Sequence, residues 1–571
     1  MFIPSNLRRV LRPAATLVVA TLVSGQSPPP PPAPVIATPA GAGAVEQTTP
    51  GSKPPATLVV SFDGLGSGFT GPQGTAVLRN PSDNSLAVGP NHIVQIVNSR
   101  MAVFAKQGKP FDATGRALYG PVPTNNVFKG FGGQCEARNN GDAVVRYDQL
   151  ADRWLIVMPI FARGPARSDQ PPAWRGGDSA YVSPPGRQDQ PGPAVPLFQP
   201  PPEATPSATP APPGAGRSGR GDTASQGPYS MCYAVSTGPD PLGAYYRYEF
   251  LRPLFPDYPR PAIWTDGYYV PTSTGDDRIS NTITTQKHAC VVERSKMLKG
   301  ERASEQCVIL ENVNFLNNAD VDGKSLPPAG APNVMMAAGG TQLDGIFESD
   351  SIDVWRFHVD WKFPAKTKVT GPERIRVAPY HYLCDGQLSS CVPQPGSDRR
   401  LDSQGDKIMA RLVYRRIGDQ ESLVAVHSVN TTAGGGGVRW YEFRIDTQRR
   451  VAVHQQGTYA PDRFFRWMAS PAIDRNGNIG IGYSFGGTPN FAGQRFAGRL
   501  ATDPPGVLTL RETVLAEGES TQNALRWEDY TQTAIDPSDD CTIWYVGDYL
   551  KKGSDTYSSR IGAFRLPGCG T

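Results

Sequence analysis

The side chains best suited to chemistry stand in short polar segments that directly precede predicted strands. Four of them are carboxylates that could exchange protons at a glycosidic bond: Asp402, Asp406, Glu528 and Asp529. A second set joins arginine forks, which bind carboxylate or phosphate groups, to aromatic faces that stack on sugar rings and one further acid: Arg466, Trp467, Arg526, Trp527, Tyr530, Arg260 and Asp83. The first set supplies candidate catalytic residues, and the second supplies candidate ligand-binding residues.

A metal site is the other chemistry that a segment suggests. Asn318-Ala-Asp-Val-Asp-Gly323 has oxygen ligands at alternate positions and a glycine at the turn, as in the first half of a calcium loop. Asn318, Asp320 and Asp322 are therefore the candidate calcium ligands, and calcium is the one cofactor that the sequence suggests. Ala329 stands where such a loop carries its bidentate glutamate, so a polar surface turn is the alternative.

No other reaction is indicated. The sequence has no His-Glu-x-x-His, phosphate-binding loop or dinucleotide fingerprint. Gly482-Tyr-Ser-Phe-Gly486 matches the letters of a nucleophile elbow, but the residues that follow it start no helix. A net charge of only +4 gives no reason to expect nucleic acid as a partner. Whether the protein is an enzyme stays open at this stage.

Short strands in hairpins are the elements that would position these residues. Residues 465–483 and 525–545 are loose copies of one pattern: an Arg-Trp pair, an apolar strand ending in Ala-Ile-Asp, a polar turn and a second strand ending in Tyr. Hairpins repeated in this way predict an all-β fold of the β-propeller type. Five further strand pairs precede them, at 85–97, 143–158, 262–270, 333–361 and 408–427.

The number of repeats predicts a seven-bladed propeller, with six or eight blades left open because the fourth unit is poorly patterned. A strand at 56–62 could join the last blade and close the ring. The first strand of each blade would begin at one face of a central channel, so the candidate residues, with Asn84, Asn140 and Asp142, would surround the channel mouth. Alternatively, the Arg-Trp pairs pack between blades, with the Trp buried and the Arg bridging to an Asp.

The N-terminal part of the chain is typical of an exported protein. Arginines at 8, 9 and 12 precede an apolar run at 14–23 that is too short to span a bilayer, so residues 1–25 are predicted to be a signal peptide. A Pro-rich tether is predicted at 26–56, and the propeller domain at 57–571, interrupted by a Pro/Gly-rich insert at 163–228 that we expect to be disordered. We expect a secreted protein, periplasmic or extracellular, monomeric and without a membrane span.

The eight cysteines agree with export, because they are widely scattered and none forms a Cys-x-x-Cys pair. An even number in an exported chain favours disulfides over metal binding. The spacing alone does not determine the connectivity. Pairing of nearest neighbours is the simplest prediction: Cys135–Cys232, Cys290–Cys307, Cys384–Cys391 and Cys541–Cys569.

From about Asn312 to Cys569 the chain resembles a group of secreted bacterial β-propeller proteins of no established activity. The resemblance rests on segments 357–361, 401–409, 421–428, 437–442 and 456–462 and on the two Arg-Trp repeats. It implies a propeller fold and brings no catalytic assignment. The layout also resembles sialidase-type propellers more distantly, but their Asp-box pattern S-x-D-x-G-x-x-W is absent, so their chemistry is not transferred.

These observations lead to three hypotheses about function. In the first, the channel mouth binds an extracellular polymer or surface ligand, such as a carboxylated glycan. In the second, a glycoside hydrolase or polysaccharide lyase uses the same mouth, and in the third the protein is a structural scaffold without a small-ligand site. A carboxylate pair within roughly 5–10 Å in an open cleft would favour hydrolysis. Carboxylates engaged by Arg466 or Arg526 would favour binding or packing.

Overall fold

The computed structural model describes residues 42–164, 181–182, 185–188, 224–252, 255–273, 287–342, 349–386, 390–524 and 526–569. Strands dominate these residues, and their helices are short: α-helices at Gly133–Ala137 and Arg294–Met297, and 3-10 helices at Ala42–Val45, Thr124–Phe128, Pro364–Lys366 and Leu383–Gly386. The predicted all-β class is therefore confirmed. The predicted signal peptide at 1–25 and most of the insert at 163–228 lie outside the described residues.

Most of the described strands form seven four-stranded antiparallel units, which we call sheets I to VII. Sheet I contains Ser85–Val88, His92–Val97, Arg100–Ala105 and Ala117–Pro123. Sheet II contains Val144–Asp148, Arg153–Gly164, Ala224–Ser236 and Tyr245–Arg252. Sheet III contains Ala262–Ile263, Tyr268–Tyr269, Lys287–Val292 and Glu305–Leu310.

The remaining four sheets follow in chain order, except that the last one is completed from the N-terminus. Sheet IV contains Asn317–Val321, Asn333–Ala338, Ser351–His358 and Lys368–Arg376, and sheet V contains Leu412–Ile417, Gln420–Asn430, Gly436–Ile445 and Val451–Tyr459. Sheet VI contains Phe465–Ile473, Ile479–Gly487, Asn490–Arg499 and Thr513–Ala516. Sheet VII contains Gln532–Ile535, Ile543–Tyr549, Ser558–Arg565 and Thr57–Asp63.

Short strands extend these sheets at their edges. Tyr181–Val182 pairs with sheet III, Pro185–Gln188 with sheet II and Thr272–Ser273 with the third strand of sheet III. Small separate hairpins join Thr70–Gly71 to Gly74–Thr75 and Val392–Gln394 to Ser397–Leu401. Glu46–Gln47 pairs in parallel with the last strand of sheet V. The folded part of the described chain thus begins before the predicted domain start at residue 57.

The first strands of successive sheets are linked by hydrogen bonds. Ser85 of sheet I accepts from the amide of Val145 in sheet II at 3.0 Å, and Ile263 of sheet III donates to Asp320 of sheet IV at 2.8 Å. The first strands of sheets IV and V pair in parallel. Sheets II and III are connected by a hydrogen bond from Arg146 Nε to Pro261 O at 2.9 Å, and sheets V and VI by one from Arg415 Nη1 to Ile473 O at 3.3 Å. Thr533 N of sheet VII donates to Ser470 Oγ of sheet VI at 3.0 Å. Ser85 Oγ of sheet I donates to Gln532 Oε1 of sheet VII at 3.0 Å.

Local sequence explains the hairpins of the two repeats. In the first repeat, Asp474 ends the first strand and its Oδ1 accepts hydrogen bonds from the amides of Asn476 at 2.8 Å and Asn478 at 3.0 Å. Gly477 has a φ of +81° at this turn, which a glycine adopts without steric cost. Asp536 accepts from the amide of Ser538 at 2.9 Å in the corresponding turn of the second repeat. Both predicted hairpins are confirmed.

Apolar side chains pack between neighbouring sheets and keep the segments before the first strands in place. One core cluster joins sheets V and VI through residues such as Trp440 and Tyr483. Another joins sheets I and VII through residues such as Ile93 and Val546. Each fully buried side chain of this kind stabilises the fold by roughly 1.5–3 kcal/mol relative to its exposed state.

One predicted unit is misplaced, and the predicted cysteine pairing is confirmed. Sheet IV begins at Asn317, not at Asn333, because the polar segment 317–321 forms its buried first strand. The disulfides are Cys135–Cys232, Cys290–Cys307, Cys384–Cys391 and Cys541–Cys569. No helix within the described residues is both long and apolar enough to cross a membrane.

Candidate functional site

Arg526 lies between two of the carboxylates that the sequence suggests as catalytic candidates. Its Nε donates to Asp402 and its Nη2 donates to Asp529. The side chain of Arg526 is 35% exposed, whereas that of Asp402 is completely buried. Gln404 also donates from Nε2 to Asp529 at 2.6 Å. Burial raises the pKa of Asp402 to about 7, although the charge of Arg526 acts to lower it.

Asp529 also belongs to a set of four aspartates that we call the acidic cluster: Asp83, Asp142, Asp257 and Asp529. The amide of Asp142 donates to Asp83 Oδ2 at 3.3 Å, and the charges of Asp257 and Asp529 act on the carboxyl group of Asp142. Burial first, and then the negative charges of Asp257 and Asp529, raise the pKa of Asp142 to about 7. The pKa of Asp83 is raised well above its ordinary value by burial and by Asp142.

Aromatic rings and cations lie beside the acidic cluster. Tyr258 stacks on Tyr530 with 4.3 Å between the ring centroids, and the Tyr258 hydroxyl donates to the Asp529 carbonyl at 2.6 Å. The Arg260 guanidinium lies 5.0 Å from the centre of the Tyr258 ring. Lys407 Nζ lies 4.4 Å from the centre of the Phe315 ring and pairs with Asp406. Buried aromatic rings and cations therefore border the acidic cluster.

Several residues of the site have left-handed backbone conformations. The φ angles are +49° at Asp83, +55° at Asp142, +53° at Tyr258, +45° at Gln404 and +67° at Asp529. Each residue stands in the segment that leads into the first strand of a different sheet. Such conformations are uncommon for residues other than glycine and cluster at functional sites. A left-handed residue therefore occurs in the segment before the first strand of five of the sheets.

The structure brings together seven of the predicted site residues and separates four. Those that meet at the acidic cluster or beside it are Asp83, Arg260, Asp402, Asp406, Arg526, Asp529 and Tyr530. Sequence reasoning missed Asp257 and Gln404, although the rule that selected the others, a polar residue shortly before a first strand, would also have found Asp257. Glu528, Arg466, Trp467 and Trp527 have other surroundings.

Arg466 is held by two carboxylates away from the acidic cluster. It donates to Asp462 from Nη1 and Nη2, both at 2.9 Å, and to Glu512 from Nε at 2.8 Å and from Nη2 at 3.0 Å. Its side chain is only 1% exposed and lies over the rings of Tyr459 and Phe485. The prediction of a bridging Arg between blades describes these contacts better than that of a ligand-binding Arg.

The two tryptophans and Glu528 are buried between sheets VI and VII. The rings of Trp467 and Trp527 are fully buried, with 6.2 Å between their centroids. Glu528 accepts from Ser484 Oγ at 2.8 Å, Gln494 Nε2 at 2.9 Å and the Asp548 amide at 2.6 Å. Burial, followed by the charge of Asp548, raises the pKa of Glu528 well above its ordinary value. These three residues have the surroundings of packing residues.

Two of the candidate calcium ligands, Asn318 and Asp320, lie in the buried strand Asn317–Val321, and Asp322 follows it directly. Asp320 accepts from Arg411 Nε at 2.6 Å, and Asp322 accepts from Arg411 Nη2 at 2.5 Å. Arg146 lies 3.4 Å from Asp320, and Asn318 donates to Asn333 Oδ1 at 2.8 Å. Guanidinium groups thus pair with both Asp320 and Asp322 in the described structure.

Comparisons with known proteins complete the description. No protein-family model and no curated protein matches this chain. It is similar to the crystal structure of a protein of unknown function from Dyadobacter fermentans DSM 18053, with 11% identity over 90% of this chain and 100% of that one and a TM-score of 0.34.

Two structures of a polysaccharide lyase are also similar to this chain. One is an ulvan lyase of family PL25 bound to -[GlcA(1-4)Rha3S]-, with 11% identity over 90% of this chain and 96% of that one and a TM-score of 0.32. The other is an ulvan lyase of the same family, with 11% identity, coverage of 85% and 95%, and a TM-score of 0.30. Similarity at this level carries no argument about the activity of this chain.

Proposed function

We propose that this chain is an exported, seven-bladed β-propeller that binds an extracellular glycan at its channel mouth. Sheets I to VII would be the blades. The hydrogen bonds that link the first strands of neighbouring sheets, including those between sheets VII and I, support a ring. Pairing of Thr57–Asp63 with Ser558–Arg565 supports closure by the N-terminal strand. The four disulfides support export, because such bonds persist in oxidising compartments.

The observation that carries the glycan proposal is the position of Arg526. Two carboxylates hold its Nε and Nη2, and its side chain remains one-third exposed. Within the described residues no partner is found for its Nη1, which leaves a donor for a ligand carboxylate. The partly exposed Asp142, Asp257 and Asp529 could accept hydrogen bonds from sugar hydroxyls. An arginine beside several hydrogen-bond acceptors favours a carboxylated glycan over a neutral apolar ligand.

A glycoside hydrolase or polysaccharide lyase at the same mouth is the second candidate function. Asp402 and Asp529 are engaged by Arg526, which favours binding over catalysis for those residues. The raised pKa of Asp142 is the observation that favours catalysis, because an acid with a pKa near 7 can both release and take up a proton at neutral pH. The third hypothesis, a structural scaffold, is supported only by the fully buried side chains of Arg466, Trp467 and Trp527, which cannot contact a ligand.

Glycan binding can be tested with the secreted chain on a glycan array, followed by titration calorimetry of each positive glycan. We expect carboxylated glycans to bind and Arg526→Gln to weaken their binding by at least 10-fold. Arg450→Gln is the matched control, because Arg450 pairs with Asp446 on an exposed turn of sheet V. The proposal fails if the wild-type chain binds no glycan, or if Arg526→Gln binds as tightly as the wild type does.

A further inference from the structure

Arg260 is a buried cation without a hydrogen-bonded partner. It stands just before the first strand of sheet III and is only 3% exposed. Among the residues that the structure describes, none accepts a hydrogen bond from its Nε, Nη1 or Nη2. Burial lowers the pKa of Arg260 to about 10, so the guanidinium still carries its charge at neutral pH. Burying a charged group with five N–H donors and no acceptor is unfavourable.

Two lysines bring further positive charge to the aromatic ring beside Arg260. The Arg260 guanidinium lies 5.2 Å from the centre of the Phe315 ring. Lys287 Nζ lies 4.8 Å and Lys407 Nζ 4.4 Å from the same point. Asp406 pairs with Lys407, whereas Arg260 has no carboxylate partner in the described part of the chain. The guanidinium therefore lies beside other cations without a counter-ion of its own.

A hydroxyl donor stands on the face of sheet III that Lys287 occupies. Ser273 pairs directly with Lys287 across two antiparallel strands, and directly paired residues point to the same face of a sheet. The Ser273 hydroxyl is completely buried and has no hydrogen-bond partner among the described residues. Ser273 also exchanges backbone hydrogen bonds of 3.1 and 2.9 Å with Asp257, three residues before Arg260. Because Asp257 is partly exposed, this face lies close to solvent.

Contacts with aromatic rings account for only part of this arrangement. The rings of Tyr258 and Phe315 attract the charge of Arg260, at 5.0 and 5.2 Å from their centres. A ring face replaces few of the hydrogen bonds that a guanidinium forms in water, and it leaves the Ser273 hydroxyl without a partner. Positive charge and hydrogen-bond donors without an acceptor are the composition of an anion site.

We propose that Arg260 and Ser273, with the two lysines at Phe315, form a buried site for one compact oxyanion, a carboxylate, sulfate or phosphate group. The site is distinct from the exposed donor of Arg526. Tyr258 lies between the two, because its ring contacts Arg260 and its hydroxyl donates to the Asp529 carbonyl at 2.6 Å. The oxyanion is either a free ion or an acidic group of a bound glycan, and the chemistry that recognises it is the same.

Thermal unfolding of the full secreted chain in sodium sulfate, and separately in sodium acetate, tests the site at constant ionic strength. The wild type should melt about 1–2 °C higher as either anion rises to about 20 mM, because only the folded chain binds it. Arg260→Met keeps a long side chain without its charge and should respond to neither anion. Arg450→Gln, which changes an exposed arginine on a turn of sheet V, should respond as the wild type does.

The melting temperature without added anion distinguishes an anion site from a packing role. Arg260→Met should then melt no lower than the wild type, because it removes a buried charge that has no partner. Ser273→Ala removes only a hydroxyl, so it serves as the test if Arg260→Met fails to fold. It should weaken sulfate binding by about 5-fold, the loss of one neutral hydrogen bond.

A carboxylated glycan that binds the wild type distinguishes the two sources of the oxyanion. A bound glycan that abolishes the sulfate response would place its own acidic group in the site, and a response that persists would assign the site to a free ion. Either result supports the anion site.

Two results would overturn the anion site. One is a wild type that melts at the same temperature with and without both anions. The other is an Arg260→Met variant that responds to the anions as the wild type does. Both results would leave glycan binding at Arg526 standing, since Arg526→Gln tests that separately, and the sulfate response decides the anion site even if no glycan binds.

Discussion

The two Arg-Trp repeats both bury the tryptophan ring but place their arginines in different surroundings. In both repeats the Trp ring is fully buried, and the residue after it has a left-handed backbone conformation, with a φ of +52° at Met468 and +56° at Glu528. Arg466 is 1% exposed and bound on every side by Asp462 and Glu512. Arg526 is 35% exposed and retains a donor beside the acidic cluster.

The acids that each arginine can reach explain the difference. Asp462 stands four residues before Arg466, and Glu512 comes from the segment that leads into the last strand of sheet VI. Arg526 instead reaches Asp529, three residues after it, and Asp402 from the segment before sheet V. A repeated motif thus preserves the tryptophan packing while its arginine serves either stability or ligand contact, depending on residues outside the motif.

The largest expected effect distinguishes the two arginines by stability. Arg466→Ala should lower the free energy of unfolding by about 3 kcal/mol, because it leaves two carboxylates and a buried cavity without the guanidinium. Arg526→Ala should cost about 1 kcal/mol, since its side chain is partly exposed and Asp402 can take up a proton when its partner is lost. Urea denaturation of the two variants measures both values. Equal costs would show that both arginines serve the same structural role.

A smaller effect separates the two tryptophans. Trp527 Nε1 donates to Ser484 Oγ at 3.0 Å, whereas Trp467 Nε1 has no partner among the described residues. Trp527→Phe loses a buried hydrogen bond and Trp467→Phe removes an unpaired donor, so the first should be less stable than the second by about 1 kcal/mol. Loss of ring volume is the same in both variants. A Trp467→Phe variant that is the less stable of the two would contradict the assigned contacts.

Local signals explain why much of the fold could be predicted. Polar turns such as Asp474–Asn478 identify hairpins because their side chains cap nearby backbone amides, and this requires no knowledge of distant residues. Three of the four disulfides join cysteines that are 7, 17 and 28 positions apart, as pairing of nearest neighbours predicts. The repeated hairpins also predicted a common site for Asp83, Asp402 and Asp529, because each of these residues stands before the first strand of a sheet.

The rest depended on partners far away in the sequence. Asn318–Gly323 has the polar residues of a calcium loop or a surface turn, yet Arg411, 91 positions after Asp320, allows that carboxylate to be buried in a strand. The Arg-Trp motif alone does not distinguish ligand contact from packing at Arg466, because its partner Glu512 lies 46 positions away. The pKa of Asp142 is raised first by burial and then by the charges of Asp257 and Asp529, which the fold brings beside it.

The smallest expected effect is a difference in how the two regions respond to pH. Hydrogen bonds and charge from Arg466 outweigh partial burial and hold the pKa of Asp462 below its ordinary value of 3.8, so its contribution to stability is lost only as the pH falls through that lowered pKa. The pKa of Asp142 is raised to about 7, so its contribution is complete below the ordinary value and is lost as the pH rises through 7.

Thermal unfolding of Asp142→Asn at several pH values checks this response. At pH 8 the wild type carries an ionised Asp142 among other carboxylates, and the asparagine removes that repulsion, so the variant should melt about 1–2 °C higher than the wild type. Below pH 3.8 Asp142 is protonated in both the folded and the unfolded wild type, so the two proteins should melt together there. Asp462→Asn should instead melt at a lower temperature than the wild type at pH 8, because it weakens the contact between residue 462 and Arg466. A uniform shift of Asp142→Asn at both pH values would mean that Asp142 does not titrate in this range.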